Sequence, residues 1–162
     1  MRVVSNSSPL VALARIGQLS LLRELYTEIH IPEAVWREVV IEGRGYPGAA
    51  MVQQADWIKR MQVSDLSLVG QLKQNLGSGE SEAIVLATEI SADLVILDER
   101  LARQSALNLA LRVIGVLGLL LEAKLRGLLP AVKPILQDLQ NLAKFYISPS
   151  LLFDVLKRAV EQ

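Results

Sequence analysis

Short apolar runs recur along this chain, and each is followed by a longer segment with helical periodicity. That alternation constrains the fold more than any other feature. The runs fall at 2–5, 28–31, 57–63, 93–97 and 112–114, with helical segments between them at 9–26, 32–42, 47–55, 66–76, 79–89 and 100–107. Strands alternating with helices build βαβ units, so the pattern predicts an α/β fold around a parallel sheet of four to five strands. Pro9 and Pro32 stand where proline is tolerated at a helix start, and Ser8 is the expected N-cap of the first helix. Ser78 is the expected cap of a helix with Glu80 and Glu82 in its first turn, where the helix dipole favours negative charge.

Beyond Gly115 the pattern turns almost wholly helical, at 116–125, 130–142 and 149–160. Gly127 with Pro130 marks the first break and Ser148-Pro149-Ser150 the second. Leu151, Leu152, Val155, Leu156 and Ala159 form a stripe on the last helix that faces the core or a partner. The expectation is one domain over 1–162: an α/β core to about residue 128, then a helical C-terminal extension.

Composition narrows the functions. The chain is 51% hydrophobic but only 4% aromatic, so Leu, Ile, Val and Ala must fill its core. Lys plus Arg and Asp plus Glu both number 17, and this zero balance argues against strong nonspecific attraction to nucleic acid, leaving room for a local basic stripe. There is no cysteine, which removes disulfides, thiolate metal sites and cysteine nucleophiles, and agrees with a cytoplasmic location. The single histidine, His30, lies in a strand-like run and reads as a strand-edge residue rather than the base of a triad. The longest apolar run, 113–121, is half of the ~20 residues a spanning helix needs and is bracketed by Arg112 and Glu122, so no membrane span is expected. Asn6, Ser7, Ser8 and Pro9 interrupt any signal-peptide core. A mean hydropathy of +0.35 is high, which predicts that some apolar surface meets a partner.

Four acid-or-amide positions, Asn6, Glu38, Glu82 and Asp98, fall where an α/β fold gathers polar groups. Asn6 and Asp98 each follow an apolar run, and open parallel sheets bind ligands outside the carboxyl ends of their strands. Glu38 lies in the helical stretch after Pro32, and Glu82 opens the helix after Gly77-Ser78-Gly79. Gathered carboxylates commonly hold a hard divalent cation such as Mg2+ or Mn2+.

The motifs around them run Val4-Ser5-Asn6-Ser7-Ser8-Pro9-Leu10, then Ile31-Pro32-Glu33-Ala34-Val35-Trp36-Arg37-Glu38. Gly79-Glu80-Ser81-Glu82-Ala83-Ile84 follows, then Leu94-Val95-Ile96-Leu97-Asp98-Glu99-Arg100-Leu101-Ala102-Arg103. In this order they resemble the PIN-domain family of metal-dependent nucleases, especially its small prokaryotic members related to toxins of toxin–antitoxin pairs. Val113-Ile114-Gly115-Val116-Leu117-Gly118, with Ala123-Lys124 beyond, is similar to the continuation in one subgroup. The resemblance spans nearly the whole chain. It implies a three-layer α/β/α fold with a central parallel sheet, and Mg2+- or Mn2+-dependent ribonuclease activity. A toxin role under an antitoxin protein would follow from the same likeness. The chain departs from the family at Asn6, where aspartate is usual. An amide oxygen coordinates a hard cation without charge, so weaker metal binding and activity are expected. The alternative is a catalytically weak or inactive domain that binds RNA or protein.

By the resemblance, Glu38, Glu82 and Asp98 would be the catalytic carboxylates and metal ligands, with Asn6 a neutral ligand. The metal would activate water and polarise the phosphoryl oxygen, while the carboxylates position it and accept a proton. Ser7 and Ser8 would hydrogen-bond a ligand carboxylate or a metal-bound water, and Glu99 could take over from Asp98. Glu80 and Glu82 stand two apart on a helix and point in different directions, so only one should face the pocket; the family pattern favours Glu82. Arg100 and Arg103 would hold substrate phosphates or pair with surface acids. Plainer readings make Glu38 a solvated helix residue and Asp98 a cap on the following helix.

A phosphoacceptor or mononucleotide-binding domain is the third class. Ser5-Asn6 lacks the acidic pair such a phosphoacceptor wants, and no glycine-rich phosphate loop follows the first strand. The partners expected are an RNA substrate, an antitoxin and a second copy of the chain, the apolar helices after Gly115 supplying a homodimer surface.

Overall fold

A computed structural model describes residues 1–161. Strands β1 (Val3–Ser5), β2 (Ile29–Pro32), β3 (Ile58–Met61), β4 (Leu94–Ile96) and β5 (Val113–Ile114) form one sheet in the order β3-β2-β1-β4-β5. Every neighbouring pair is parallel, and β1 registers on β4 through Val3 with Leu94, Val4 with Val95 and Ser5 with Ile96. Side chains alternate across a strand, and here both faces are apolar. Val3 and Ile96 enter one hydrophobic cluster; Val4, Val95 and Leu97 enter the other.

Ten helices flank the sheet among the described residues: α1 (Ser7–Arg15), α2 (Ser20–Tyr26), α3 (Glu33–Trp36), α4 (Pro47–Gln54), α5 (Leu66–Leu72), α6 (Ser78–Glu89), α7 (Arg100–Asn108), α8 (Val116–Leu125), α9 (Lys133–Leu142) and α10 (Pro149–Arg158). Leu10 and Leu13 of α1, Leu22 of α2, Leu119 and Leu120 of α8 and Leu136 of α9 join the first cluster. Val69 of α5, Ile84 and Leu86 of α6 and Ala102 of α7 join the second. The result is a three-layer α/β/α sandwich with a central parallel sheet of five strands. The C-terminal extension packs into the first layer through Ile135, Leu139 and Val155.

Several boundaries move for local reasons. The helical segment expected at 9–26 is two helices, because Gly17 takes φ +70. Gly17 N–H donates to Ala14 O at 3.1 Å and Gln18 N–H to Leu13 O at 2.8 Å, a Schellman closure that needs a residue free to adopt the left-handed region. Helix α1 starts at Ser7 with Asn6, not Ser8, in the N-cap position. Pro9 then sits in the first turn, where a missing N–H costs no hydrogen bond. Gly77, not Ser78, precedes α6. The segment expected at 32–42 divides: Pro32 closes β2, α3 lasts four residues, and a π-helical turn spans Arg37–Ile41. No helix among the described residues is long and apolar enough to cross a membrane.

Candidate metal centre at the carboxyl edge of the sheet

The strand order reverses between β1 and β4, and a crevice opens at such a switch point beyond the strand ends. Asn6 and Asp98 flank it. Asn6 N–H donates to Ile96 O at 3.1 Å, continuing the β1–β4 ladder for one residue. The Asn6 side chain makes no cap bond to α1; the residue is 4% exposed and its Oδ1 has no hydrogen-bond partner. Asp98 lies two residues past β4. Its Oδ1 accepts Val116 N–H at 3.1 Å, so it caps α8 rather than the following helix, while Oδ2 is buried without a partner. A Cβ on Gly115 would meet that Oδ1 at 2.6 Å, so only glycine lets the carboxylate lie against the start of α8. An unpartnered buried oxygen costs about 1–3 kcal/mol, and two of them lie at this one sheet edge.

Glu38 is carried by the π-helical turn, a distortion of the helix frequent at functional sites. Its Oε2 accepts from Ser7 Oγ at 2.5 Å and its Oε1 from Gly79 N–H at 3.0 Å. It therefore joins the first residues of α1 to the first turn of α6 and is not a free surface side chain. Asn6, Ser7, Ser8, Glu38, Glu80 and Glu99 line a cavity of about 210 Å³.

The two glutamates of α6 diverge. Glu80 reaches back to accept Gly77 N–H at 3.3 Å and lines this cavity. Burial pushes its carboxyl above the ordinary value; the Gly77 bond opposes this, and Glu99 and Glu38 push it further up. Glu82 turns the other way: its Oε1 accepts Ala34 N–H at 3.1 Å at the start of α3, and it does not line the cavity. Of the two, Glu80 is the one that lines this cavity. Its signal was available in the sequence, since a Glu three residues after an N-cap commonly folds back on the cap.

Asp98 lines two adjoining cavities of about 540 and 400 Å³, and Glu99 lines both the latter and the cavity around Glu38. Burial pushes the Asp98 carboxyl up; Val116 N–H and Arg103 pull it down, and Glu99 raises it. Arg103 lines the larger cavity and donates to Leu97 O at 3.0 Å. Arg100 is exposed at the start of α7 and lines none of the three. Among the described residues, no three Asp, Glu, His or Cys side chains are gathered closely enough to hold a metal. The donor chemistry nevertheless fits a hard divalent cation, being all oxygen with two buried oxygens unpaired.

Fold and site together define an α/β/α protein with an acid-lined crevice at its switch point. A family model described as PIN domain matches residues 2–161, and the chain belongs to the PIN domain family. PIN domains are generally nucleases that act on nucleic acid and use divalent metal ions. No curated protein matches the chain at a significant level.

Proposed function

We propose that this PIN domain is a Mg2+- or Mn2+-dependent ribonuclease that hydrolyses phosphodiester bonds at the β1–β4 edge. The observation that carries the reading is the pair of buried, unpartnered oxygens, Asn6 Oδ1 and Asp98 Oδ2, at the ends of adjacent strands. Asn6, Glu38 and Asp98 would hold the cation, with Glu82 as the acid favoured by the family pattern and Glu80 as the one lining the cavity. A bound divalent cation supplies an activated water and polarises the phosphoryl oxygen. Ser7 fixes Glu38 by its hydroxyl, and Ser8 and Glu99 border the same space. Glu80, whose carboxyl burial pushes above its ordinary value, would be the acid of this cavity readiest to accept a proton. Arg103, beside Asp98, would meet a substrate phosphate, and Arg100 would extend that contact at the surface.

The fuller proposal is a cytoplasmic toxin-like nuclease in which core and extension form one domain, working as a homodimer and restrained by an antitoxin. The extension shares the first hydrophobic cluster with α1, α2 and α8, which supports one domain. It also exposes Leu142, Phe153 and Val160, which supports a protein partner. Asn6 favours a second reading, a weak or inactive domain that binds RNA or protein, because it places a neutral amide where the family usually has a charge. Cleavage of a panel of short RNAs with Mg2+ or Mn2+ separates the two. Turnover lost in Asp98→Ala and raised in Asn6→Asp supports the nuclease; silence in wild type, with activity in Asn6→Asp, supports an intact scaffold disabled at one ligand.

A further inference from the structure

We propose that the connection between α9 and α10 is a stacking platform for single-stranded nucleic acid, with Tyr146 as the ring on which a base lies. The proposal rests on the nuclease reading and adds how a substrate strand is held. The segment alternates between core and solvent. Phe145 packs against the larger hydrophobic cluster, Ile147 is buried, and Tyr146 between them is 82% exposed. Phe145 N–H donates to Leu139 O at 2.9 Å, which ties the segment to α9. Lys144 sits at φ +56, the left-handed closure that also follows α6, α7 and α10 at Ser91, Ala110 and Val160, and it turns the chain from α9 into this segment. In a chain with 4% aromatics, two adjacent rings on a surface connection are a concentrated use of them.

What surrounds the rings identifies the occupant. Phe145, Tyr146 and Asp98 all line both larger cavities, so the platform adjoins the Asp98 carboxylate on two sides. The smaller of these follows α1: Ser8, Val11, Ala12 and Arg15 line it at helical spacing, a run of about 10 Å at 1.5 Å per residue. Ser8 and Glu99 belong to both this cavity and the one around Glu38, which sets the acid end. Arg15 lies two turns along, and Lys144 also lines the cavity. Neither cation is ion-paired among the described residues, whereas Arg158 in the larger cavity is held by Asp154 at 3.1 Å. A nucleotide strand offers both a π-face for Tyr146 and phosphates for Arg15 and Lys144, and it leads to the acids where hydrolysis would occur. An apolar protein partner would cover the ring and leave the two cations unmatched.

The test is fluorescence anisotropy of fluorescein-labelled single-stranded RNA with the full chain in EDTA, so that binding is read without cleavage. Tyr146→Ala should weaken binding roughly tenfold to hundredfold, since base stacking is worth that much, while Tyr146→Phe should stay within about twofold of wild type. Tyr146→Trp should fold normally and show quenched fluorescence on addition of RNA. Arg15→Ala with Lys144→Ala should weaken binding and flatten its salt dependence. Wild-type protein that binds no RNA overturns the platform, as does a Tyr146→Ala variant that binds like wild type. A Tyr146→Ala variant that turns a dimer into a monomer by light scattering, with RNA binding unchanged, assigns the ring to a protein interface instead. Parallel cleavage assays with Mn2+ keep the two readings apart. Cleavage with Tyr146-independent binding overturns the platform alone, and Tyr146-dependent binding without cleavage by any variant supports the platform and overturns the nuclease.

Discussion

The Glu38 carboxylate and the Gly79 backbone are in direct contact: the amide donates to Oε1 at 3.0 Å, and a Cβ at residue 79 would stand 2.6 Å from Oε2. The obstructing atom ends a flexible side chain, so in Gly79→Ala the carboxylate gives way and the helix does not. Alanine also gains up to about 1 kcal/mol of helix propensity over glycine. The variant should therefore unfold within about 1 kcal/mol of wild type, yet lose about tenfold in Mn2+-dependent cleavage, the usual cost of misplacing a ligand. Thermal denaturation beside single-turnover cleavage measures both. A large stability loss would show that residue 79 supports the fold rather than the site.

Glu80 and Glu82 invite a paired comparison because they face different structures. Glu82 caps α3 through Ala34 N–H, so Glu82→Ala should cost about 1–2 kcal/mol and Glu82→Gln, which keeps an acceptor, much less. Glu80→Gln keeps the bond to Gly77 but removes a charge from the cavity. Calorimetric titration with Mn2+ should show weaker binding in Glu80→Gln than in Glu82→Gln. The reverse order would make Glu82 the third acid, as the family pattern favours.

The layers of the fold were legible because parallel strands buried on both faces, such as Leu94-Val95-Ile96, announce themselves as short apolar runs between helical segments. Asn6 and Asp98 were legible for the same reason, since each follows such a run. What the pattern could not carry was direction around a helix axis. The π-helical turn reorients Glu38 by changing the local residues per turn, and apolar periodicity over so short a stretch does not register it. The break inside the segment expected at 9–26 does not show in the pattern, because the left-handed backbone of Gly17 follows from closure of α1, not from composition. The plainer reading of Asp98, as a cap, set it on α7, its neighbour in sequence. Its partner at Val116 is 18 residues away and is set by how α8 packs on the sheet.

The last turns of the chain carry a pH-dependent latch. Glu161 accepts Val132 N–H at 2.8 Å, Lys133 N–H at 3.0 Å and Lys124 Nζ at 2.7 Å, and so ties α8, the start of α9 and the segment after α10 together. Burial raises its carboxyl, but the bonds from Lys124, Val132 and Lys133 outweigh this and bring it from 4.5 down to about 2. A carboxyl depressed by folding is ionised more readily in the native chain, so the unfolded chain binds more protons across that window. The stability it contributes is complete above about pH 4.5 and is lost as pH falls toward about 2. Glu161→Gln should cost about 1–2 kcal/mol at pH 7, and the gap to wild type should close steadily in urea unfolding carried down to pH 2.

Asn6 is the position where charge, metal and stability can be separated. Aspartate there would add a negative charge to a cavity already lined by Glu38, Glu80 and Glu99, so in EDTA Asn6→Asp should melt below wild type. Adding Mn2+ should reverse the order. A ligand that binds only the native state stabilises it by RT ln(1 + [L]/Kd), about 2.7 kcal/mol at a hundred times Kd, and a tenfold tighter site adds about 1.4 kcal/mol more. The melting curves of the two proteins should therefore cross between EDTA and millimolar Mn2+, with the larger upward shift in Asn6→Asp. Equal shifts in both proteins would mean that the unpartnered Asn6 Oδ1 does not face the cation.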